Sequence, residues 1–422
     1  MKNSKHLKPK EPKKEKISAN RFDQPLATFV YEDTEKQPRL SVEETVKIPK
    51  AVYRVGLILA VAVLLLAIWM NREHLKPQSI KNWFSHQLKG EEIAEGFPVS
   101  ILGNKVEKGN FKLSLGNAAV LSDTALTVLD TKGSQVSYTR HSFANPILKE
   151  KGGYHLIYNS GLEGYLLSFG EDILQEKQAE KKIYFADVAR NGTFLLGMRG
   201  TEYASEIHVI KKDGKIPFKY SFASGYANAA ALNATASMGA VNTLDSAAGE
   251  LFSKITIHDF GKKDPLFEYE LKGNMIIDLF WADSGKVLAI GDQGAAVVSS
   301  KQSEKEEYSY EGEQLTAYCA SSSQLYIGLS GHEYGGSGRI LVMGESAQEP
   351  QTLELSKRAL SLSVYGGTLA VLTDSEILFY DSGTLQEIGA IRADSDAKAI
   401  VLENESSVYV LGASEVRKVN LK

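Results

Sequence analysis

The chain has 422 residues, of which 43% are hydrophobic and 24% charged, and its formal net charge is -4. Twelve basic and eight acidic residues fall in residues 1–50, which leaves 36 basic and 44 acidic residues for the rest. A large domain with an acidic balance has no basic surface for nucleic acid, so that class of partner is excluded. The single cysteine, Cys319, excludes an internal disulfide and a cysteine-based metal site.

The first fifty residues predict a basic and mostly disordered cytoplasmic tail. Residues 1–16 contain seven lysines and two glutamates, a polar composition that cannot bury a core. A basic segment of this kind is also attracted to anionic lipid headgroups.

Residues 51–71 predict one transmembrane helix, with the lipid bilayer as its partner. Val55–Met70 is sixteen residues long and carries no charge, and the whole segment extends about 30 Å at ~1.5 Å per residue. A cleaved signal peptide is the alternative, but it would need a shorter leader and a small-residue cleavage site. The lysine-rich leader places the N-terminus in the cytoplasm and the C-terminal domain outside it. The expected location is therefore the cell membrane, with a single pass.

Residues 72–96 predict a juxtamembrane linker that contains an amphipathic helix. Ile80, Trp83, Phe84 and Leu88 repeat at helical spacing and form one apolar face. Two positions for this helix remain open, either in the outer headgroup layer or packed beneath the large domain.

Residues 97–422 predict an all-β domain outside the cytoplasm, because short apolar runs alternate with Gly, Asn, Asp and Ser turns. The runs recur in groups, each with an apolar strand, a tight turn, a second apolar strand and an alternating third strand. Groups start near Phe111, Pro146, Ile183, Ala229, Met275, Leu315, Ala359 and Ala397. A period of about 35 to 46 residues is typical of propeller blades.

The repeats favour eight blades, and seven remains the alternative because the first two groups are weak. The last group has room for only three strands. Residues 97–102 would supply the fourth, so that the two ends of the domain complete one blade and close the ring.

Catalytic, metal and cofactor signatures are not apparent in the sequence. The string at 335–339 ends in Arg339, where a G-x-S-x-G motif needs glycine. Asp394 and Asp396 resemble the start of a calcium loop, but the likeness ends at Ala397. Three Asn-x-Ser/Thr motifs, at 191, 233 and 404, coincide with expected hairpin turns. We therefore assign no catalytic residue, metal ligand or cofactor.

Three long loops, at 198–206, 242–250 and 330–339, are expected between the second and third strands of their blades. They lie on one face of the propeller, and long loops on a rigid scaffold are common binding positions. Tyr, Arg and Glu in these loops are residue types found in recognition surfaces. The candidate binding residues are Arg199, Glu202, Tyr203, Asp245, His332, Glu333, Tyr334 and Arg339.

The order of these features resembles an uncharacterised domain-of-unknown-function family of single-pass, membrane-anchored, β-propeller-like proteins from Gram-positive bacteria. The likeness rests on the tail, the membrane segment, the helix at Ile80–Leu88 and a series of short strings. The strings are FPVSILG at 97–103, LSDTAL at 121–126, LIYN at 156–159 and KITIHDF at 254–260. The resemblance implies a propeller and a membrane location, and it implies no reaction.

The leading hypothesis is a non-enzymatic, membrane-tethered propeller that binds an envelope protein or glycan. An enzyme is the first alternative, either a quinoprotein-like dehydrogenase or a glycan hydrolase, although the repeated Trp motifs and Asp-boxes of such propellers do not occur in the sequence. A single-pass sensor that signals to the cytoplasmic tail is the second.

Overall fold

Thirty-two strands form eight four-stranded antiparallel sheets in the computed structural model, which describes residues 96–331 and 336–421. Each sheet is one blade of a β-propeller, so the expected all-β, eight-bladed fold is confirmed. We name the strands of each blade A to D from the channel outward. One 3-10 turn, Lys108–Asn110, is the only helical element among these residues. None of the described residues forms a helix able to cross a bilayer, and the segment 51–71 lies outside them.

The blades begin within three residues of the starts expected from the repeats, and in blades 1 to 7 the strands A to D follow in chain order. Blade 1 consists of Phe111–Ser114, Asn117–Leu121, Ala125–Leu129 and Gln135–Arg140 (β2–β5), and blade 2 of Pro146–Lys151, Tyr154–Asn159, Gly164–Phe169 and Asp172–Gln178 (β6–β9). Blade 3 consists of Ile183–Val188, Phe194–Arg199, Ser205–Ile210 and Phe218–Phe222 (β10–β13). Blade 4 consists of Tyr226–Leu232, Met238–Ala247, Glu250–Asp259 and Phe267–Lys272 (β14–β17). Blade 5 consists of Ile276–Trp281, Lys286–Gly291, Gly294–Ser299 and Lys305–Ser309 (β18–β21), and blade 6 of Gln314–Ala320, Leu325–Ser330, Gly338–Met343 and Gln351–Leu355 (β22–β25). Blade 7 consists of Ser361–Tyr365, Thr368–Leu372, Glu376–Asp381 and Glu387–Arg392 (β26–β29). Blade 8 consists of Ala399–Asn404, Ser407–Leu411 and Glu415–Asn420 (β30–β32), with Val99–Ser100 (β1) as its outer strand.

The ring closes in blade 8, where strands from both ends of the domain pair. Val99 faces Val416 and Ser100 faces Glu415. The Ile101 amide adds a hydrogen bond of 2.9 Å to the carbonyl of Ser414. The expectation that residues 97–102 supply the missing fourth strand is thus confirmed.

The core lies between blades, because each sheet buries both faces only when its neighbours cover it. The B strands show this most clearly, since all five residues of β27 and of β31 are buried. The outer D strands are exposed, as in β9, where only Gln175 is buried. At the junction of blades 8 and 1, Val120 packs with Tyr409 and Leu411.

Polar side chains connect successive A strands, which do not pair with one another directly. The Oδ1 of Asn110 accepts the Leu148 amide at 2.9 Å, and its Nδ2 donates to the Pro146 carbonyl at 2.8 Å. The same device recurs where Asp187 accepts the Leu232 amide and where Asn228 donates to the Ile276 carbonyl. These bonds satisfy backbone groups that would otherwise be left without partners beside the channel.

Blade 4 has a hairpin that projects beyond its neighbours. Its B and C strands, β15 and β16, have ten residues each, whereas no other described strand exceeds seven. The expected long loop at 242–250 is therefore wrong, because the ladder continues to Ala247 opposite Glu250. Only Ala248 and Gly249 form the turn, and both have positive φ, as a two-residue hairpin requires.

Candidate binding faces and central channel

The propeller has two different faces. We call the face with the loops between the B and C strands, and with the connections between blades, the B–C face. The opposite A–B face carries the turns between A and B strands and between C and D strands. Gly96 lies at the A–B face, because its carbonyl borders Gly133 in the C–D turn of blade 1. The chain therefore joins the propeller at the face opposite to the B–C face.

The predicted binding residues that the structure describes all belong to the B–C side. Arg199, Glu202 and Tyr203 lie at the B–C turn of blade 3, and all three are exposed. Asp245 lies on the projecting hairpin of the neighbouring blade and is half-buried. Arg339 belongs to blade 6, two blades further round the ring. His332, Glu333 and Tyr334 lie outside the described residues.

The guanidinium of Arg339 is held by a carboxylate from its own blade. Its Nε donates to Oε2 of Glu313 at 2.5 Å, and the arginine side chain is only 21% exposed. Charge-assisted pairs of this kind fix the position of the guanidinium. Arg339 thus ties strand β24 to Glu313, just before strand β22, whereas Arg199 is exposed and available to a partner.

An apolar patch accompanies the predicted residues on the B–C face. We define this patch as Tyr203, Tyr226, Leu251 and Met275, which are 47%, 66%, 41% and 37% exposed. Hydrogen bonds hold their loops together, with Ser205 Oγ donating to the Gly225 carbonyl at 3.0 Å and the Gly273 amide donating to the Leu251 carbonyl at 2.9 Å. Exposed apolar side chains grouped on one face are typical of interaction sites.

Sequence reasoning identified only Tyr203 of this patch. The other three residues each follow a glycine within two positions, at Gly225, Gly249 and Gly273. This spacing is not a usable signal, because Phe194 and Val287 follow the turn glycines Gly192 and Gly285 at the same distance and are fully buried.

The axial channel widens into two cavities, one toward each face. The cavity toward the A–B face is about 610 Å³ in volume, and six blades contribute to it. The cavity toward the B–C face is about 600 Å³, with a mostly apolar wall from the A strands of blades 6 to 8. Lys112, Asp278 and Phe280 border both cavities.

Charges of opposite sign divide the channel wall. Lys112, Lys149 and Lys151 come from the A strands of blades 1 and 2, and Asp187 and Asp278 come from blades 3 and 5. Asp278 raises the pKa of Lys149 by Coulombic attraction. Burial lowers the pKa of Lys112, with a further contribution from Lys149, and burial raises the pKa of the Asp187 carboxyl. The wall is therefore strongly polarised.

Cys319 also borders the channel, at the end of strand β22. Its side chain is half-buried in the wall of the channel, far from the outer surface of the propeller. Burial raises the pKa of the thiol to about 12. A thiol of that pKa carries almost no thiolate at neutral pH. Cys319 therefore acts as a small apolar residue in the channel wall.

The three Asn-x-Ser/Thr motifs serve as turns, as expected. Asn191 Oδ1 accepts the Thr193 amide at 2.9 Å, and Asn404 Oδ1 accepts the Ser406 amide at the same distance. Asn233 Oδ1 likewise accepts the amide of Ser237 at 2.9 Å. Each side chain thus closes its own turn.

Asp396, at the aspartate pair compared with a calcium loop, binds an arginine. Both of its carboxylate oxygens accept from Arg417, at 2.7 and 3.0 Å, and this lowers the pKa of Asp396 to about 2. Across the part of the chain that the structure describes, no group of three or more His, Cys, Asp or Glu side chains is arranged to hold a metal ion.

Residues 103–421 match the sequence profile of a family of unknown function, DUF5711, over more than half of the chain. The chain belongs to the DUF5711 family. A search of curated proteins finds no match to this DUF5711 chain.

Solved structures show the same fold as the DUF5711 domain. The C-terminal WD40 domain of Sif2 superposes with a TM-score of 0.56 at 10% identity, covering 79% of this chain and 99% of that one. Sqt1 of Saccharomyces cerevisiae gives 0.52 at 14% identity, covering 76% and 100%. At such identities the likeness concerns the propeller fold alone.

Proposed function

We propose that this DUF5711 chain is a membrane-tethered, non-enzymatic binding module whose propeller lies outside the cytoplasm and docks an envelope protein. The apolar patch on the B–C face carries the proposal. Two tyrosines, a leucine and a methionine around a projecting hairpin are suited to a protein surface. Glycan-binding sites are richer in planar polar side chains than in aliphatic ones such as Leu251 and Met275. The patch therefore suits a protein partner better than a glycan.

The position of Gly96 supports docking at the patch. Gly96 lies at the A–B face, so the chain enters the propeller on the side opposite the patch. That entry leaves the B–C face available to other envelope components. The bilayer would be a partner through the anchor only.

Site-specific photo-crosslinking in intact cells tests the docking surface. The full-length chain would carry a photoreactive phenylalanine at Leu251, and a matched variant would carry it at Ile173, which is 50% exposed on the outer strand of blade 2. We expect one discrete crosslinked product from position 251 that weakens at least tenfold with Tyr226→Ala. Equal products from both positions, or none from position 251, would refute the proposal.

Cysteine labelling tests the location independently. Lys272 is exposed on the outer strand of blade 4, so Lys272→Cys introduces a reactive thiol in addition to the native Cys319. A membrane-impermeant maleimide should label this variant in intact cells. Labelling only after the membrane is permeabilised would place the propeller in the cytoplasm.

A further inference from the structure

The channel holds deeply placed charges of both signs that do not pair with each other. Among the described residues, no ion pair within 4 Å involves Lys112, Lys149, Asp187 or Asp278. The ammonium groups of Lys112 and Lys149 also make no hydrogen bond to any of the described residues. The attraction of Asp278 nevertheless raises the pKa of Lys149, so charges of the two signs influence each other across the cavity without forming an ion pair.

The carboxylates are held in position by neutral donors. Asp278 accepts from Tyr318 Oη at 3.3 Å and from the Leu279 amide at 3.0 Å. Asp187 accepts the Leu232 amide at 2.8 Å through Oδ2. These bonds fix the direction of each carboxylate and leave its charge uncompensated by a cation at contact distance.

All four side chains are half-buried, and each lacks a counter-ion at contact distance. A molecule that supplies a carboxylate to the lysines and an ammonium to the aspartates would give each charge a direct partner. An anion alone would meet the two aspartates, and a cation alone would meet the lysines. The arrangement therefore favours a ligand that carries both charges.

The size and the wall of the cavity set further limits on the ligand. A volume of about 610 Å³ lies within the range of small-molecule sites. Phe280 and Trp281 line the same cavity, so an apolar segment between the two charged groups has a surface to pack against.

We propose that the channel cavity at the A–B face binds a small zwitterion, between an amino acid and a short peptide in size. Its carboxylate lies against Lys149 and Lys112. Its amino group lies against Asp278 and Asp187. This site is separate from the docking patch on the B–C face, and neither proposal depends on the other.

Titration of the full-length chain, purified in a mild detergent, with alanine, dialanine and trialanine tests the proposal. The chain has three tryptophans, so replacing Trp69 and Trp83 by phenylalanine leaves Trp281 as a fluorescent reporter within the cavity. Calorimetry on the wild-type chain provides the second readout. We expect saturable binding of at least one of the three, with a Kd of about 1 mM or tighter.

Capping the ligand distinguishes a zwitterion site from a simpler ion site. N-acetylation removes the ammonium and C-amidation removes the carboxylate, and each should weaken binding of the best ligand at least tenfold. Equal binding of the acetylated form would show an anion site, and equal binding of the amide would show a cation site. Either result overturns the proposal, as does failure of all three free ligands to bind.

Three variants locate the site. Lys149→Met and Asp278→Asn should each weaken binding at least tenfold, whereas Lys272→Met, on the outer surface, should leave it unchanged. Unchanged binding in both channel variants overturns the assignment. The capping comparison uses the wild-type chain, so it remains decisive even if a channel variant does not fold.

Discussion

The carboxylate of Asp187 accepts the backbone amide of Leu232 at 2.8 Å, which links the A strands of blades 3 and 4. We expect Asp187→Ala to lower the free energy of unfolding by about 1–3 kcal/mol, because it leaves a buried amide without an acceptor. Asp187→Asn keeps an acceptor oxygen and should cost less than half as much. Urea unfolding of the two variants measures the difference. Equal losses would mean that neither the bond nor the side-chain volume contributes and that the charge of the carboxylate does.

Ring closure depends on few backbone hydrogen bonds, and the Ile101 amide makes one of them, to Ser414. Ile101→Pro removes this donor, and we expect it to lower the free energy of unfolding by about 2–3 kcal/mol. Ile101→Ala is the matched control, since it loses packing but keeps the bond, and it should lie closer to the wild type. A proline variant as stable as the alanine variant would show that the ring stays closed without this contact.

Two buried histidines predict a loss of stability in acid. Burial lowers the pKa of His155 and of His258 to about 4, and each ring bonds a hydroxyl, of Ser114 at 2.8 Å and of Thr256 at 3.0 Å. A depressed pKa means that the unfolded chain binds the proton more tightly. The stabilisation is thus complete above about pH 6.5 and decreases as the pH falls toward 4, by roughly 3 kcal/mol for each histidine.

Urea unfolding between pH 7 and pH 4.5 measures this loss. His155→Gln and His258→Gln should each flatten the decline, whereas His141→Gln, whose ring is only half-buried, should change it less. A decline that is identical in the wild type and in the double variant would assign the acid sensitivity to other groups.

The thiol of Cys319 should react slowly in the folded protein. With a pKa of about 12, the thiolate fraction at pH 8 is on the order of 10⁻⁴, and the thiolate is the reactive form. A coloured disulfide reagent should therefore label the native chain at least a hundredfold more slowly than the chain in urea. The thiol of a Lys272→Cys variant provides the fast reference within the folded protein. Equally rapid labelling of both cysteines would contradict the deep position of Cys319.

The propeller was largely predictable because short segments of the sequence carry the strand and turn pattern of each blade. Apolar strands joined by Gly and Asn turns place the blade starts within three residues, and a group with three strands at the C-terminal end requires a fourth from elsewhere. The hairpin of β15 and β16 was not predictable, since its Asn, Thr, Asp and Ser residues are loop formers by composition. Its polar side chains are accommodated by specific partners, such as Asn242 Nδ2 bound to Asn228 Oδ1 at 2.7 Å.

The channel charges could not be found from sequence for a different reason. Lys149 and Asp278 lie in separate repeats, and each looks like an ordinary polar residue at the start of a hairpin. Only the number of blades and the register of each A strand bring them to the same level of the channel. The apolar patch could not be found from sequence for the same reason, since Tyr203 and Met275 are distant in the chain and reach the same face only through the arrangement of three blades.

The pairing of β1 with β32 also determines when the protein can finish folding. A ribosome delivers Val99 early and Val416 only after more than three hundred further residues. During that interval β1 has no neighbouring strand, and the growing row of blades ends in open edges that invite pairing with other chains. The ring can therefore close only after β32 has been synthesised, and the open edges remain until β32 pairs with β1.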